Sequence, residues 1–272
     1  MADYILREYE TGDIPALKSL WADCFGDKEA YIDGFFSLLP SLGTALSAVY
    51  EGRVCGSTYI LEDMQLYLDG RTQPVALIYA VAVEADCRRL GIGRELVQKA
   101  VELAKKRGAE HIVTLPAEKS LYGWYEKVCG FKCRLYRQTK LLETMDMGVV
   151  KRISSEEYSA LREEKLSGKR HIVYGAAAMK LQQLLCETYS GGLFSCAGAI
   201  AAAYSADGIG IMQELLCPEG MDEEVFASAI GFELGTDEVK LIRPANVQNG
   251  SPYLAALDYS LPEDCYWPLA FD

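Results

Sequence analysis

Histidine is scarce in this sequence, with His111 and His171 alone among 272 residues. That scarcity excludes a multi-histidine metal centre. Cysteine does not make up the deficit: the nine thiols are an odd number without a Cys-x-x-Cys pair, and the nearest two, Cys129 and Cys133, are separated by three residues. Reduced thiols are expected, rather than a disulfide framework or a zinc site. Long apolar runs are missing too. None approaches the ~20 residues that cross a bilayer, and the opening Met1-Ala2-Asp3-Tyr4 lacks a basic stretch followed by an apolar one. The chain is therefore expected to be cytoplasmic and free of the membrane. Basic charge is not in excess either: the net charge of -12 argues against a nucleic-acid partner.

What is present is enough apolar material to bury a core, half of all residues, in a chain long enough for two domains. The acidity is uneven. Residues 1–145 carry 18 Lys+Arg against 20 Asp+Glu, and residues 146–272 carry 9 against 19. The first part can host an anion, while the second repels one and would draw a cationic acceptor.

The periodicity predicts a helix from Ile14 to Phe25, with Thr11 or Asp13 at its start, and another from Glu29 to Leu39. After Pro40 the pattern turns to strands: Ala45–Tyr50, Val54–Leu61 and Met64–Leu68, separated by turns at Glu51-Gly52 and Asp69-Gly70. Val75–Val83 reads as a buried central strand, Arg94–Arg107 as a helix, His111–Leu115 as a strand and Leu121–Val128 as a helix. The second half offers a weaker version of the same order. It predicts a strand over Val149–Ile153, helices at Ser155–Leu166 and Ala177–Glu187, strands at Ala197–Tyr204 and Ile209–Cys217, a helix at Asp222–Leu234 and a strand at Glu238–Ile242.

The most specific segment runs from Val81 to Leu96, where a glycine-rich turn joins a buried strand to a helix. Such a junction suits a diphosphate: the first-turn amides have no intrahelical acceptor, the helix dipole places about half a positive charge there, and glycine lets a ligand approach the backbone. Arg88, Arg89 and Arg94 add to that field. Two other phosphate loops fail on residues. A dinucleotide fingerprint needs a third glycine where Leu96 stands, and a nucleoside triphosphatase loop needs Gly-Lys-Ser/Thr.

What remains, Arg-x-x-Gly-x-Gly over Arg88–Gly93, resembles the acyl-CoA pyrophosphate loop of the GNAT superfamily of N-acetyltransferases. The order of elements across residues 1–140 resembles that fold. The resemblance implies an α/β (α+β) protein: a GNAT-like mixed central sheet flanked by helices, and then a second, smaller GNAT-like domain. Residues 1–144 would form the acyl-CoA-binding domain and residues 145–272 a degenerate copy. It further implies that the amides of Arg89, Leu90, Gly91, Ile92, Gly93 and Arg94 hold the diphosphate, with Arg88 at the motif's first basic position. Backbone groups of Val81 and Val83 would hold the pantetheine arm beside the strand, and an amide near Val81 would polarise the thioester.

Downstream, Leu121-Tyr122-Gly123-Trp124-Tyr125 to Gly130-Phe131 resembles the closing helix of the family, where a tyrosine stands near the CoA sulfur. Tyr125 is the expected acid for the departing thiolate. Tyr122 is the alternative, because the spacing from Tyr125 to Gly-Phe is one residue longer than usual. The glutamate that some family members carry in the central strand has no counterpart in Ala76-Leu77-Ile78-Tyr79, so no general base is assigned; Glu84 reads as a solvated turn residue. Cys87 and Cys129 read as packing thiols. Phe25, Tyr31, Phe35 and Phe36 fit either an acceptor pocket or, at helical spacing, the core. In the second half, Cys217-Pro218-Glu219-Gly220-Met221-Asp222 stands where the loop would recur, and its acids and proline disfavour a diphosphate. The expected activity is direct transfer of an acetyl group from acetyl-CoA to a primary amine of a small molecule or peptide, with no metal. The alternative is a non-catalytic acyl-CoA sensor.

Overall fold

The computed structural model describes residues 4–146, 148, 150–257 and 261–272. Two compact units emerge. The first comprises Met1–Leu66, Arg71–Arg134 and Tyr253–Glu263; the second comprises Tyr67–Gly70, Leu135–Pro252 and Asp264–Asp272. A division at 144/145 would leave Tyr253–Glu263 in the second domain, yet these residues pack in the first unit. The reason is backbone pairing at long range, which no local pattern reveals: Ala255 and Ala256 lie opposite Thr114 and Val113.

The elements of the first unit begin with β1 (Tyr4–Glu8), α1 (Ile14–Phe25), α2 (Glu29–Leu42), β2 (Gly43–Tyr50), β3 (Arg53–Leu68) and β4 (Arg71–Val83). Next come α3 (Ile92–Lys106), β5 (His111–Thr114) and α4 (Lys119–Cys129). Then follow β6 (Phe131–Glu143), which runs on into the second unit, and, much later, β13 (Ser251–Leu257). The sheet order is β1-β2-β3-β4-β5-β13. β1–β2 and β2–β3 pair antiparallel, and β4–β5 pair parallel. Three expectations change here. β3 is one long strand rather than two, α2 continues through Pro40, and β4 begins before Pro74. Pro74 sits in an end of the strand where a missing N–H is tolerated, and its carbonyl still accepts from Glu110 N at 2.9 Å.

Helix α3 buries Ile92, Leu96, Val97, Ala100 and Ala104, spaced as one face of an α-helix, against Ala76 and Ile78 of β4. The opposite face of the sheet carries α1 and α2. There Trp21 packs against Phe35 and Tyr59 with ring centroids 4.6 and 5.0 Å apart. Gly56 on β3 is needed for the α3 face: a Cβ there would stand 3.0 Å from Ile92 Cγ2 and 3.2 Å from Ala82 O.

The second unit holds β7 (Lys151–Arg152), α5 (Ser155–Lys165), β8 (His171–Tyr174), α6 (Ala176–Thr188), β9 (Gly192–Cys196), β10 (Ala199–Ala206), β11 (Ile209–Leu216), α7 (Glu223–Glu233) and β12 (Glu238–Ala245). Its sheet order is β6-β12-β11-β10-β9-β7. The pairing repeats that of the first unit: β9–β10 and β10–β11 are antiparallel, and β11–β12 is parallel. Helix α5 is capped by Ser154, which accepts from Glu157 N at 3.2 Å. The start of the expected strand at Val149 lies outside the described residues. Among the described residues no helix is long and apolar enough to cross a membrane.

In the first unit Asp13 ties the entry of α1 to the sheet. Its carboxylate receives Arg7 Nη1 and Nη2 at 2.6 and 2.9 Å, Glu10 N at 2.9 Å and Ser47 Oγ at 3.1 Å. The Arg7 guanidinium, outweighing the effect of burial, holds the Asp13 carboxyl down to about 2. A carboxyl depressed in the folded state stabilises above its unfolded value and loses that contribution as pH falls through the folded one. Asp13→Asn should therefore cost about 2 kcal/mol at pH 7, and the gap from the parent should close as pH falls from about 4 towards 2. Urea denaturation of both proteins across that range measures it; a gap independent of pH would contradict the linkage.

Candidate active site

The strand pairing of β4 with β5 ends at Ile78 opposite Thr114. Beyond that pair, Tyr79–Val83 continues without β5 beside it, and Ala80 turns into the left-handed region at φ +49°. The Thr58 hydroxyl donates to the Tyr79 carbonyl at 3.2 Å, and the Thr114 hydroxyl donates to the Ile78 carbonyl at 3.0 Å. The second bond ties β4 to β5 at their last pair and the first ties β4 to β3 just beyond it, which marks the fork. The residues expected to meet a pantetheine arm, Val81 and Val83, lie on β4 beyond its last pair with β5 and are half-buried. The Val83 carbonyl accepts from Arg88 Nε at 3.1 Å, which commits that oxygen and folds Arg88 back against the strand.

The loop after Val83 reaches α3 through two left-handed residues, Arg89 at φ +69° and Gly91 at φ +91°. Gly91 is the N-cap, and no side chain caps the helix. The first intrahelical bond is Glu95 N to Gly91 O at 3.1 Å, so the amides of Ile92, Gly93 and Arg94 precede the helix's own hydrogen bonding. Arg88, Arg89, Leu90, Gly91 and Arg94 are exposed, while the Ile92 side chain is in the core and can offer only its backbone. A Cβ on Gly93 would meet nothing closer than Val83 Cγ2 at 3.6 Å, so the space outside that backbone is open. Exposed amides, open backbone and three arginines fit an anionic diphosphate.

Tyr125, on α4, is buried at 7% exposure, and the Thr114 hydroxyl at the fork is near enough to influence its ionisation. Burial pushes its ionisation up to about 12, partly offset by the Thr114 hydroxyl, so the phenol is protonated throughout the neutral range. Tyr122 is placed elsewhere: its hydroxyl donates to the Tyr253 carbonyl at 2.6 Å. Glu84 and Asp86 both bind the Arg53 guanidinium, the second at 2.7 Å. Cys87 is 1% exposed, and burial raises the Cys129 thiol, so neither is primed as a nucleophile. Of the aromatic residues weighed for an acceptor pocket, Tyr31, Phe35 and Phe36 are buried and Phe25 is 41% exposed.

Several contributors escape a sequence reading. Thr114, Thr58, Ala80 and Gly56 carry no motif. Neither does Tyr4, whose buried hydroxyl makes no hydrogen bond of ordinary geometry and would stand 3.9 Å from a Cβ on Gly91. Burial, then the nearby Glu95 carboxylate, pushes the Tyr4 phenol up to about 12. These residues are distant in sequence and meet only through sheet pairing.

The site is thus a helix-flanked mixed sheet, forked beside an uncapped, arginine-lined helix start. Residues 10–131 match the family model of the acetyltransferase (GNAT) family. Over that segment the chain is similar to this acetyltransferase family. Similar solved structures extend over both units. A GCN5-related N-acetyltransferase from Kribbella flavida shares 17% identity at a TM-score of 0.68, with 93% of this chain and 70% of that chain covered. A conserved protein of unknown function from Enterococcus faecalis V583 has 13% identity and a TM-score of 0.70, over 93% of this chain and 72% of that one. An acetyltransferase candidate from Pyrococcus horikoshii has 18% identity and a TM-score of 0.63, over 100% and 96%. At these identities the likeness is one of fold. No curated protein matches in sequence.

The open space beside Gly93 gives a clean test of the loop. Gly93→Val should remain folded, because its Cβ meets only ordinary contact, and should lose CoA binding at least a hundredfold (about 3 kcal/mol). Calorimetric titration with CoA and a thermal melt check both halves; unchanged affinity in a folded variant would refute the role. Gly91 is a poorer probe, since any side chain at φ +91° adds strain of its own.

Proposed function

We propose that the first unit transfers an acetyl group directly from acetyl-CoA to a primary amine of a small molecule or peptide. The observation that carries this reading is the placement of Tyr125 near Thr114, where β4 leaves β5, with the loop from Arg88 to Arg94 following the part of β4 beyond that point. The loop amides and arginines would hold the diphosphate, and residues 79–83, beyond the last β4–β5 pair, would hold the arm and bring the thioester to the fork. An amide near Val81 would face the oxygen that gains charge.

The chemistry is balanced without an enzyme nucleophile. The amine nitrogen forms a bond to the carbonyl carbon, the carbon–sulfur bond breaks, and the Tyr125 proton goes to the departing sulfur; the amine releases its own proton to solvent. A phenol held near pKa 12 is a weak acid, so its donation must accompany bond cleavage rather than precede it. Tyr125→Phe should lower kcat by about 10²–10⁴ and leave acetyl-CoA affinity within twofold. The wild-type rate should show no break owing to Tyr125 below about pH 10, because its titration lies near 12. Stopped assays of thiol release over pH 6–10 measure both; a Tyr125→Phe enzyme with wild-type kcat would overturn the assignment.

The second unit is proposed as a degenerate copy that binds no CoA. Where α3 starts uncapped, α7 is closed by its own chain: Asp222 accepts from Glu224 N at 2.9 Å. Glu223 and Glu224 at this start are paired with Arg243 and Lys140 at 2.7 and 2.6 Å. The equivalent of the fork, beyond Met212 opposite Leu241, is taken up as well, because the Asp272 carbonyl accepts from Gln213 and, at 3.2 Å, from Tyr204. Calorimetry should give one CoA per chain, and a cationic acceptor should bind less well as salt rises, over a Debye length of about 10 Å at 0.1 M. Two CoA sites, or a preference for anionic acceptors, would contradict these expectations. The absence of a carboxylate on β4 favours a rival, a non-catalytic acyl-CoA sensor. Thiol release over an amine panel separates the two.

A further inference from the structure

The fork has two faces, and the reading above uses only one. Ala76 and Ile78 point to the α3 face, in the cluster that also holds Tyr125 and Ile92. Alternation along the strand sends Tyr79 the other way. Its ring lies 5.7 Å from Trp21 and 5.9 Å from Phe35, and its hydroxyl is 3.1 Å from that of Tyr31. Tyr79 is half-buried, whereas Tyr31 is 1% exposed. Two phenols on different elements, α2 and β4, thus meet one residue beyond the last β4–β5 pair and one residue before the left-handed Ala80.

If loop, arm and Tyr125 occupy the α3–α4 face, a second substrate must reach the thioester carbon from the α1–α2 face. We infer that Tyr79 is the residue that receives the acceptor amine there, with Tyr31 as the positioning residue that fixes its hydroxyl. This inference rests on the acetyl-transfer reading. A phenol oxygen has one donor and acceptor lone pairs, so a hydroxyl paired with a second hydroxyl still accepts from an amine N–H. That contact turns the nitrogen lone pair towards the carbon under attack. The nearby rings present π-faces, and the Asp27 carboxylate in this cluster is engaged by Trp21 Nε1 at 2.8 Å, so the strand orients the amine rather than deprotonating it. The role suits an uncharged amine nitrogen at the moment of attack and requires no proton transfer through either tyrosine.

The test uses the full chain with acetyl-CoA and two probes, spermidine and a lysine-containing tetrapeptide. Tyr79→Phe keeps the ring and removes only the hydroxyl. It should lower kcat/KM for the better probe by about five- to tenfold, the worth of one net hydrogen bond, while acetyl-CoA affinity and melting temperature hold. Tyr31→Phe alone should give a smaller loss, and in the Tyr79→Phe background it should add less than twofold. A Tyr79→Phe enzyme within twofold of wild type overturns the inference. So does a parallel loss of acetyl-CoA affinity or of stability, which would mark a purely structural pair. Equal, additive losses from Tyr31→Phe in both backgrounds would overturn the positioning role. Should the wild type release no thiol with either probe or a wider amine panel, the acetyl-transfer reading itself falls; wild-type turnover with an indifferent Tyr79→Phe removes this inference alone.

Discussion

Everything distinctive about the first unit follows from the point at which β4 and β5 stop pairing. A parallel pair that continued past Ile78 and Thr114 would spend the backbone groups of Tyr79–Val83 on β5 and close the sheet. The left-handed Ala80 breaks that continuation at a cost of about 1 kcal/mol, and the surrounding bonds offset it. Thr58 satisfies the Tyr79 carbonyl, and Thr114 satisfies that of Ile78. One strained residue thus leaves a limb of strand with backbone to offer, a tyrosine from α4 at its base and a glycine turn at its tip. The surrounding core makes the strain tolerable, since α3 buries a continuous stripe on one side of β4 and the Trp21 cluster fills the other.

The second unit repeats the topology of the first with a different set of internal bonds. Its strands pair in the same sequence of antiparallel, antiparallel and parallel contacts. At the start of α7, Asp222 accepts from Glu224 N, and Glu223 and Glu224 pair with Arg243 and Lys140. Its interior holds a different kind of polar centre. Arg162 and Glu214, both essentially unexposed, bond at 3.0 Å with Tyr158 at 2.8 Å. Removing one partner of such a pair leaves a buried charge uncompensated, typically a loss of 3–5 kcal/mol. The centre therefore constrains the packing of α5 on β11 whatever the unit does.

Some of this architecture was legible from the residues alone, because it depends on local backbone chemistry. The stripe Ile92, Leu96, Val97, Ala100 and Ala104 announces α3 by its period. The apolar run 75–83 announces a strand buried on both faces. Gly91 and Gly93, three arginines and a helix start are what the expectation of an anion site rests on. The repeat of element order also survives in the pattern of turns and runs, although the residues differ.

Tertiary structure alone decided where the strands part, which of two tyrosines stands at the parting, and which segment closes the first sheet. Tyr125 and Tyr122 lie three apart on one helix; only the position of Thr114 and of the Tyr253 carbonyl distinguishes them. The left-handed Ala80 has no signature, since alanine is neither glycine nor asparagine and its conformation is imposed by neighbours on β3 and β5. Strand β13 joins β5 across more than a hundred residues, through backbone groups that every sequence possesses. Periodicity and capping are written into neighbouring residues, so they can be read along the chain. Pairing, strain and the meeting of distant hydroxyls are settled between segments, and the chain acquires them only when it folds.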